Sequence, residues 1–172
     1  MRTSTWIIQA DHRIRSLTPF VTTFLMVLIS ALPWQIASFA SITPAFTAIS
    51  IYYWSIYQYL KLPYYSIFGL GMLLDLLTGI PLGLSALIYL LVRAVLNSQR
   101  TFFMGKPFWI VWAGFAVVML GVSVFGWVVN SLYFSAFVAP LPFVFQCVLT
   151  ILLYPVISFI LSILNRNMLN KS

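Results

Sequence analysis

The chain has no glutamate, two aspartates (Asp11 and Asp75), one histidine (His12) and one cysteine (Cys147). Charged residues are 6% of its 172 residues, against roughly 25% in an ordinary water-soluble domain. These shortages exclude whole classes of function. A zinc site takes roughly three or four ligands from His, Cys and carboxylates, paired-carboxylate chemistry needs two converging acids, and a Ser or Cys nucleophile needs a base. One His near the N-terminus and one Asp in an apolar stretch assemble none of these, so no catalytic residue, metal or cofactor is expected. Cys147 has no partner for an intramolecular disulfide and reads as core packing.

What the chain has instead is apolar length. Hydrophobic residues make up 62% of it, with a mean hydropathy of +1.03. A membrane-crossing helix needs about 20 apolar residues at about 1.5 Å each. Ser16 to Leu60 carries no charge, Leu62 to Val92 carries only Asp75 and is interrupted by Gly79, Pro81 and Gly83, and Pro107 to Asn165 is again charge-free. The sequence therefore predicts an all-α integral membrane protein, a bundle of about six transmembrane helices near 17–39, 44–60, 63–79, 83–97, 107–129 and 141–164. A cytoplasmic N-terminal segment (1–16) and a cytoplasmic tail (166–172) flank a single transmembrane domain (17–165).

Sidedness follows from the cations. Arg2, Arg13 and Arg15 precede segment one, Lys61 follows segment two, Arg100 and Lys106 follow segment four, and Arg166 and Lys171 follow segment six. Six crossings put all of them, and both termini, on the cytoplasmic face. The net charge of +7 is then an orientation signal and a contact for anionic headgroups of the bilayer, with no nucleic acid implied. A re-entrant hairpin of segments three and four would leave the same charge pattern. Ser38-Phe39-Ala40 resembles a signal-peptidase site, but the apolar run before it is longer than a signal peptide's, so an uncleaved helix is expected.

Residues 1–16 mix Trp6, Ile7, Ile8 and Ile14 with polar neighbours, which fits either an interfacial amphipathic helix or a frayed tail. Tyr52, Tyr53, Trp54 and Tyr57 before Lys61, Tyr64 and Tyr65 after it, and Phe102, Phe103, Phe108 and Trp109 around Lys106 predict aromatic belts at the membrane boundary. Gly71, Asp75 and Gly79, spaced by four, share a helix face where another helix can approach, and Gly114 and Gly121 are seven apart in segment five.

Asp75 is the acidic residue that demands explanation. A carboxylate at a helix centre costs about 2.5–3.5 kcal/mol on insertion scales, so it must be hydrogen-bonded, paired or protonated. Counted from a turn at Pro81, Arg93 lies deeper than Asp75 and should snorkel to the headgroups. Ser85 and Tyr89 bracket its depth and are the expected hydrogen-bond partners. A proton relay needs further ionisable groups that the chain lacks. Asp75 is expected either to lock the hairpin of segments three and four or to anchor a partner's transmembrane helix.

The stretch Gly69 to Gly83, GLGMLLDLLTGIPLG, resembles the signature region of the bacterial rod shape-determining protein MreD family. Pro33-Trp34 in segment one, Pro44 opening segment two, Tyr53-Trp54 late in it and Pro155 in the last segment are similar to the same family's pattern. The resemblance implies a non-enzymatic role in cell-wall elongation and rod shape: a scaffold of the bacterial cytoplasmic membrane that binds an MreC-like bitopic protein and links MreB filaments to RodA and a class B penicillin-binding protein. It implies that Asp75 with Gly69, Gly71, Gly79 and Gly83 helps form a partner-binding or helix-packing surface. It also implies a fold similar to the substrate-binding subunits of energy-coupling-factor vitamin transporters, which supplies the alternative of a vitamin-binding subunit. The missing AxxxA-type face in segment one, and an outer surface offering mainly Asn130 and Ser131 as polar contacts, count against that alternative.

Overall fold

Prolines and glycines punctuate the apolar runs, and several of the helices begin or end beside them. The computed structural model describes residues 4–32, 43–133, 135 and 139–169, and its regular elements are all helical. They are α1 (Ser4–Ala31), α2 (Phe46–Tyr57), a 3-10 turn (Tyr59–Lys61), α3 (Tyr64–Thr78), α4 (Leu84–Phe103), α5 (Phe108–Tyr133) and α6 (Leu141–Leu169). Pro63, Pro107 and Pro140 each stand just before a helix and lend a carbonyl to its first turn, to Ser66, Ile110 and Val144 respectively. A proline at a helix entrance loses nothing, because the first N–H groups have no intrahelical partner.

Two helices, Phe108–Tyr133 and Leu141–Arg166, are long and apolar enough to cross a membrane; Leu17–Ala31, Tyr64–Thr78 and Leu84–Gln99 are shorter apolar helices. Polarity is inverted relative to a soluble protein. Val117, Val124, Leu152 and Phe159 are exposed, while Thr23, Thr47, Ser50, Asp75 and Thr150 are fully buried. An apolar solvent outside the bundle is what makes that distribution favourable.

α2 is the axis of the bundle. It has only 12 residues, and every position from Thr47 to Ile56 is buried. It packs against α1, α4 and α6. This shortens the helix expected over 44–60: within the charge-free run the helix is about 18 Å long by its rise, apolar nearly all round because protein surrounds it. It also corrects part of the aromatic-belt expectation, since Tyr52, Tyr53 and Trp54 are core residues, whereas Tyr57, Tyr64, Tyr65 and Trp109 are exposed. Hydrogen bonds tie α2 to its neighbours: Thr23 Oγ1 with Ser50 Oγ (2.9 Å), Ser30 Oγ with Thr47 Oγ1 (3.1 Å), Trp54 Nε1 to Thr22 Oγ1 (2.9 Å), Tyr52 Oη to the Val111 carbonyl (2.9 Å) and Gln58 Nε2 to Asn165 Oδ1 (3.1 Å).

The helices alternate in direction. At one end Tyr57, Phe108 and Arg166 share one groove, and Leu17, Lys61 and Tyr65 another. At the opposite end Ser30, Thr43, Thr78, Leu84, Asn130 and Phe143 surround a cavity. Lys61 and Arg166 therefore sit at one end of the bundle, and the connection between α3 and α4 turns at the other. α1 runs through residue 16 without a break, and α6 extends past Arg166 to Leu169. Pro33, Trp34 and Ser38-Phe39-Ala40 lie outside the described residues, as do the side chains of residues 4–16 and most of the loop after α5.

Pro155 lies inside α6 and has no N–H to give the Ile151 carbonyl one turn earlier. Trp112 of α5 takes its place, donating from Nε1 to that carbonyl at 3.0 Å. Loss of a net hydrogen bond of this kind costs about 0.5–1.5 kcal/mol. Trp112→Phe is expected to lower the thermal stability of the detergent-solubilised protein by about that amount, and to cost much less in a Pro155→Ala background, where the helix ladder closes itself. Equal losses in the two backgrounds would show that the indole is not serving that carbonyl.

Candidate functional site

Asp75 closes one helix and opens the next. Its backbone carbonyl accepts the N–H of Gly79 (3.0 Å), which sits at φ +70° in the left-handed region and terminates α3. The chain then turns through Ile80, Pro81 and Leu82 to Gly83, at φ +94°. Asp75 Oδ2 accepts the Gly83 N–H (2.8 Å) and Oδ1 the Ser85 N–H (3.1 Å). The carboxylate thereby caps α4 from the preceding helix, eight and ten residues upstream of its donors, and faces the positive end of the α4 dipole. The side chain is completely buried. Hydrogen bonds to a charged group contribute about 1.5–3 kcal/mol each, so the two together are comparable with the insertion cost of the carboxylate.

The two helices leaving this turn touch most closely at Gly71. A Cβ there would lie 2.5 Å from Ala86 Cα and 2.7 Å from its amide nitrogen. The contact is backbone on backbone, which neither helix can relieve by moving a side chain. Gly79 and Gly83 serve the turn. Gly69 meets nothing within 4 Å and lines an outer groove with Ser66, Leu70 and Leu73 of α3 and Leu17, Phe20 and Phe24 of α1. Gly121, paired with Gly114 by spacing, is likewise open, whereas a Cβ at Gly114 would lie 2.5 Å from the Phe103 ring.

Among the expected partners of Asp75, Ser85 bonds it through its backbone amide and not its hydroxyl. Tyr89 is buried close to Thr47 and Asp75, and its hydroxyl is not among the donors to the Asp75 carboxylate. Arg93 departs from expectation. Its side chain is 2% exposed, its guanidinium lies 3.5 Å from the Ser55 carbonyl and 5.6 Å from the centre of the Tyr64 ring, and it does not snorkel to the outside. Depth counting missed this because it took lipid to be the neighbour of α4, where α2 stands. The Gly71–Ala86 contact left a faint signal: the two small residues lie eight before and seven after Gly79, as an antiparallel hairpin requires.

The cavity at the Asp75 end has a volume of about 150 Å³. Several of its polar side chains are already engaged: Ser30 with Thr47, Gln146 Nε2 with the Thr43 carbonyl, Ser123 Oγ with the Phe143 carbonyl and Asn130 Nδ2 with the Gly126 carbonyl. Among the described residues no three His, Cys, Asp or Glu side chains gather where they could hold a metal ion.

Comparison with known proteins adds two findings. The family model described as rod shape-determining protein MreD matches residues 11–164. An uncharacterized protein of Rickettsia prowazekii (strain Madrid E), RP566, is 29% identical over 139 residues, covering 80% of this chain and 79% of that protein. No solved structure matches the chain.

The geometry separates substitutions that look alike in sequence. Gly71→Ala is expected to destabilise the solubilised protein by about 1–3 kcal/mol through overpacking, and Gly69→Ala by almost nothing. Asp75→Asn keeps one acceptor but turns an amino group towards an amide donor, so it should be clearly less stable than the native protein, with Asp75→Leu worse again. Thermal unfolding in mild detergent ranks all four; equal effects at Gly71 and Gly69 would contradict the close approach of α3 and α4.

Proposed function

The chain belongs to the rod shape-determining protein MreD family, and from that premise we propose that it is a non-enzymatic, multi-pass scaffold of the bacterial cytoplasmic membrane. On this reading it crosses the bilayer about six times with both termini in the cytoplasm. It binds an MreC-like bitopic protein, and through it couples MreB filaments to RodA and a class B penicillin-binding protein during wall elongation. The observation that carries the reading is the family match over nearly the whole chain. The side-chain inventory supports it. The one carboxylate among the described side chains, Asp75, is committed to capping α4, which suits a packing element. We assign Asp75, Gly71, Gly79 and Gly83 to holding the hairpin in shape. Gly69, with no neighbour of its own, is the glycine of this block free to meet a partner's helix.

The vitamin-transporter alternative draws on a fold likeness and would use the cavity at the Asp75 end. A small-molecule site holds its ligand through a few convergent polar groups. Here four of the polar side chains, Ser30, Ser123, Asn130 and Gln146, are held by the protein's own hydroxyl and carbonyl groups, which favours the scaffold.

Depletion in a rod-shaped host is expected to round the cells, and the purified protein should bring down an MreC-like partner in mild detergent. Cells that stay rod-shaped, together with no recovered partner, would reject the scaffold role. Topology has its own measurement. In a chain with Cys147 replaced, a cysteine at Lys106 should react only with a reagent reaching the cytoplasm, and a cysteine at Ser135 only with one confined to the outside. Labelling of both from one side would contradict the six-crossing arrangement.

A further inference from the structure

We propose that the groove between α2 and the C-terminal half of α6 is a binding site for an anionic phospholipid, with its phosphate at Arg166 and an acyl chain along α6. The proposal rests on the membrane reading above. The groove, about 750 Å³ in volume, runs along α6 from Tyr154 to Arg166, beside Tyr53 and Tyr57 of α2 and Phe108 of α5. This is within the range of about 300–1,000 Å³ typical of ligand sites. Its wall is apolar and outward-facing: Val156 is 58%, Phe159 66% and Ile160 49% exposed. Its mouth is polar and cationic.

Arg166 is held at that mouth by its neighbour. Asn165 is 9% exposed and accepts a hydrogen bond from Gln58 Nε2 (3.1 Å), which pins this turn of α6 to the end of α2. The guanidinium beside it is exposed and has no ion pair or hydrogen bond among the described residues, and the same is true of the half-exposed Tyr57 hydroxyl. The chain cannot supply the missing charge from Asp75, which is buried, committed to two amides and at the far end of the bundle. Nine cations against two acids leave an excess of positive charge for which anionic headgroups are the ready counter-ions, and among the described side chains no acid faces Arg166. A cation at the rim of an apolar trough suits an amphiphile: guanidinium and phenol hydrogen-bond the phosphate, and the trough takes the chain.

The test is native mass spectrometry of the full-length protein in mild detergent, titrated with phosphatidylglycerol and phosphatidylcholine of identical acyl chains. Retention of phosphatidylglycerol over phosphatidylcholine is expected, with Arg166→Gln reducing phosphatidylglycerol retention about fivefold and Arg166→Lys less. Lys106→Gln removes a cation at the same end but outside the groove, where Lys106 lies 5.6 Å from the Phe102 ring, and should leave retention unchanged. Equal retention of both lipids, an equal loss with Lys106→Gln, or displacement by inorganic phosphate would each overturn the site; the last would mean a free anion and not a lipid. A protein fragment retained in place of lipid would also overturn it. Partner recovery measured on the same preparations keeps the scaffold reading separate, since loss of lipid preference with the partner still recovered removes only the lipid site.

Discussion

A polar group inside an apolar medium has no water to turn to, so every N–H, carbonyl and side chain that leaves the regular helix pattern must find a partner within the protein. That constraint organises this molecule at each place where the chain departs from a plain helix. The turn between α3 and α4 frees amides at the start of α4, and Asp75 takes two of them. Pro155 frees a carbonyl in α6, and Trp112 serves it. α2 begins with an open amide at Ala45, and Thr150 of α6 accepts from it at 3.0 Å. Each repair joins two helices or the two sides of a turn, so satisfying the backbone also assembles the bundle.

The same constraint explains why the apolar interior also holds paired hydroxyl groups. Between helices in lipid, apolar contact has little advantage over lipid contact, and close backbone packing with interhelical hydrogen bonds takes over. α2, with hydroxyl groups at Thr47 and Ser50 meeting Ser30 and Thr23 of α1, is positioned by such bonds. Its aromatic residues do the filling. Tyr52 packs edge-on against Phe115 and Tyr154, with ring centres 5.0 and 5.8 Å away, and sends its hydroxyl to the Val111 carbonyl. The outward-facing features of the bundle, the grooves beside Lys61 and Arg166, are where other molecules can meet it.

Much of this was legible in the linear chain. The boundaries of α3, expected at 63–79 and found at Tyr64–Thr78, follow from Pro63 and Gly79, residues whose backbone preferences act locally. Asp75 stood out because a carboxylate in an apolar run has a cost that something must offset. The places where the reading failed share one cause. Tyr52, Tyr53, Trp54 and Arg93 were assigned to the membrane boundary on the assumption that each helix faces lipid, and α2 is enclosed by protein. Periodicity could not reveal this, because a helix apolar on all faces looks the same whether lipid or other helices surround it.

The sequence by itself determined the helical class, the apolar character of the helices and the turn at Gly79–Gly83, since these follow from composition and from the local stereochemistry of proline and glycine. Tertiary structure decided which helix lies at the centre, that Asp75 is satisfied by backbone amides and not by the side chains of Ser85 and Tyr89, that Gly71 and not Gly69 carries the close approach, and that Arg93 is inside while Arg166 is outside. These depend on which surfaces face one another, and in a chain that is apolar nearly throughout, many different pairings bury equivalent groups. The choice among them rests on a few polar bonds and small-residue contacts whose partners are distant in sequence.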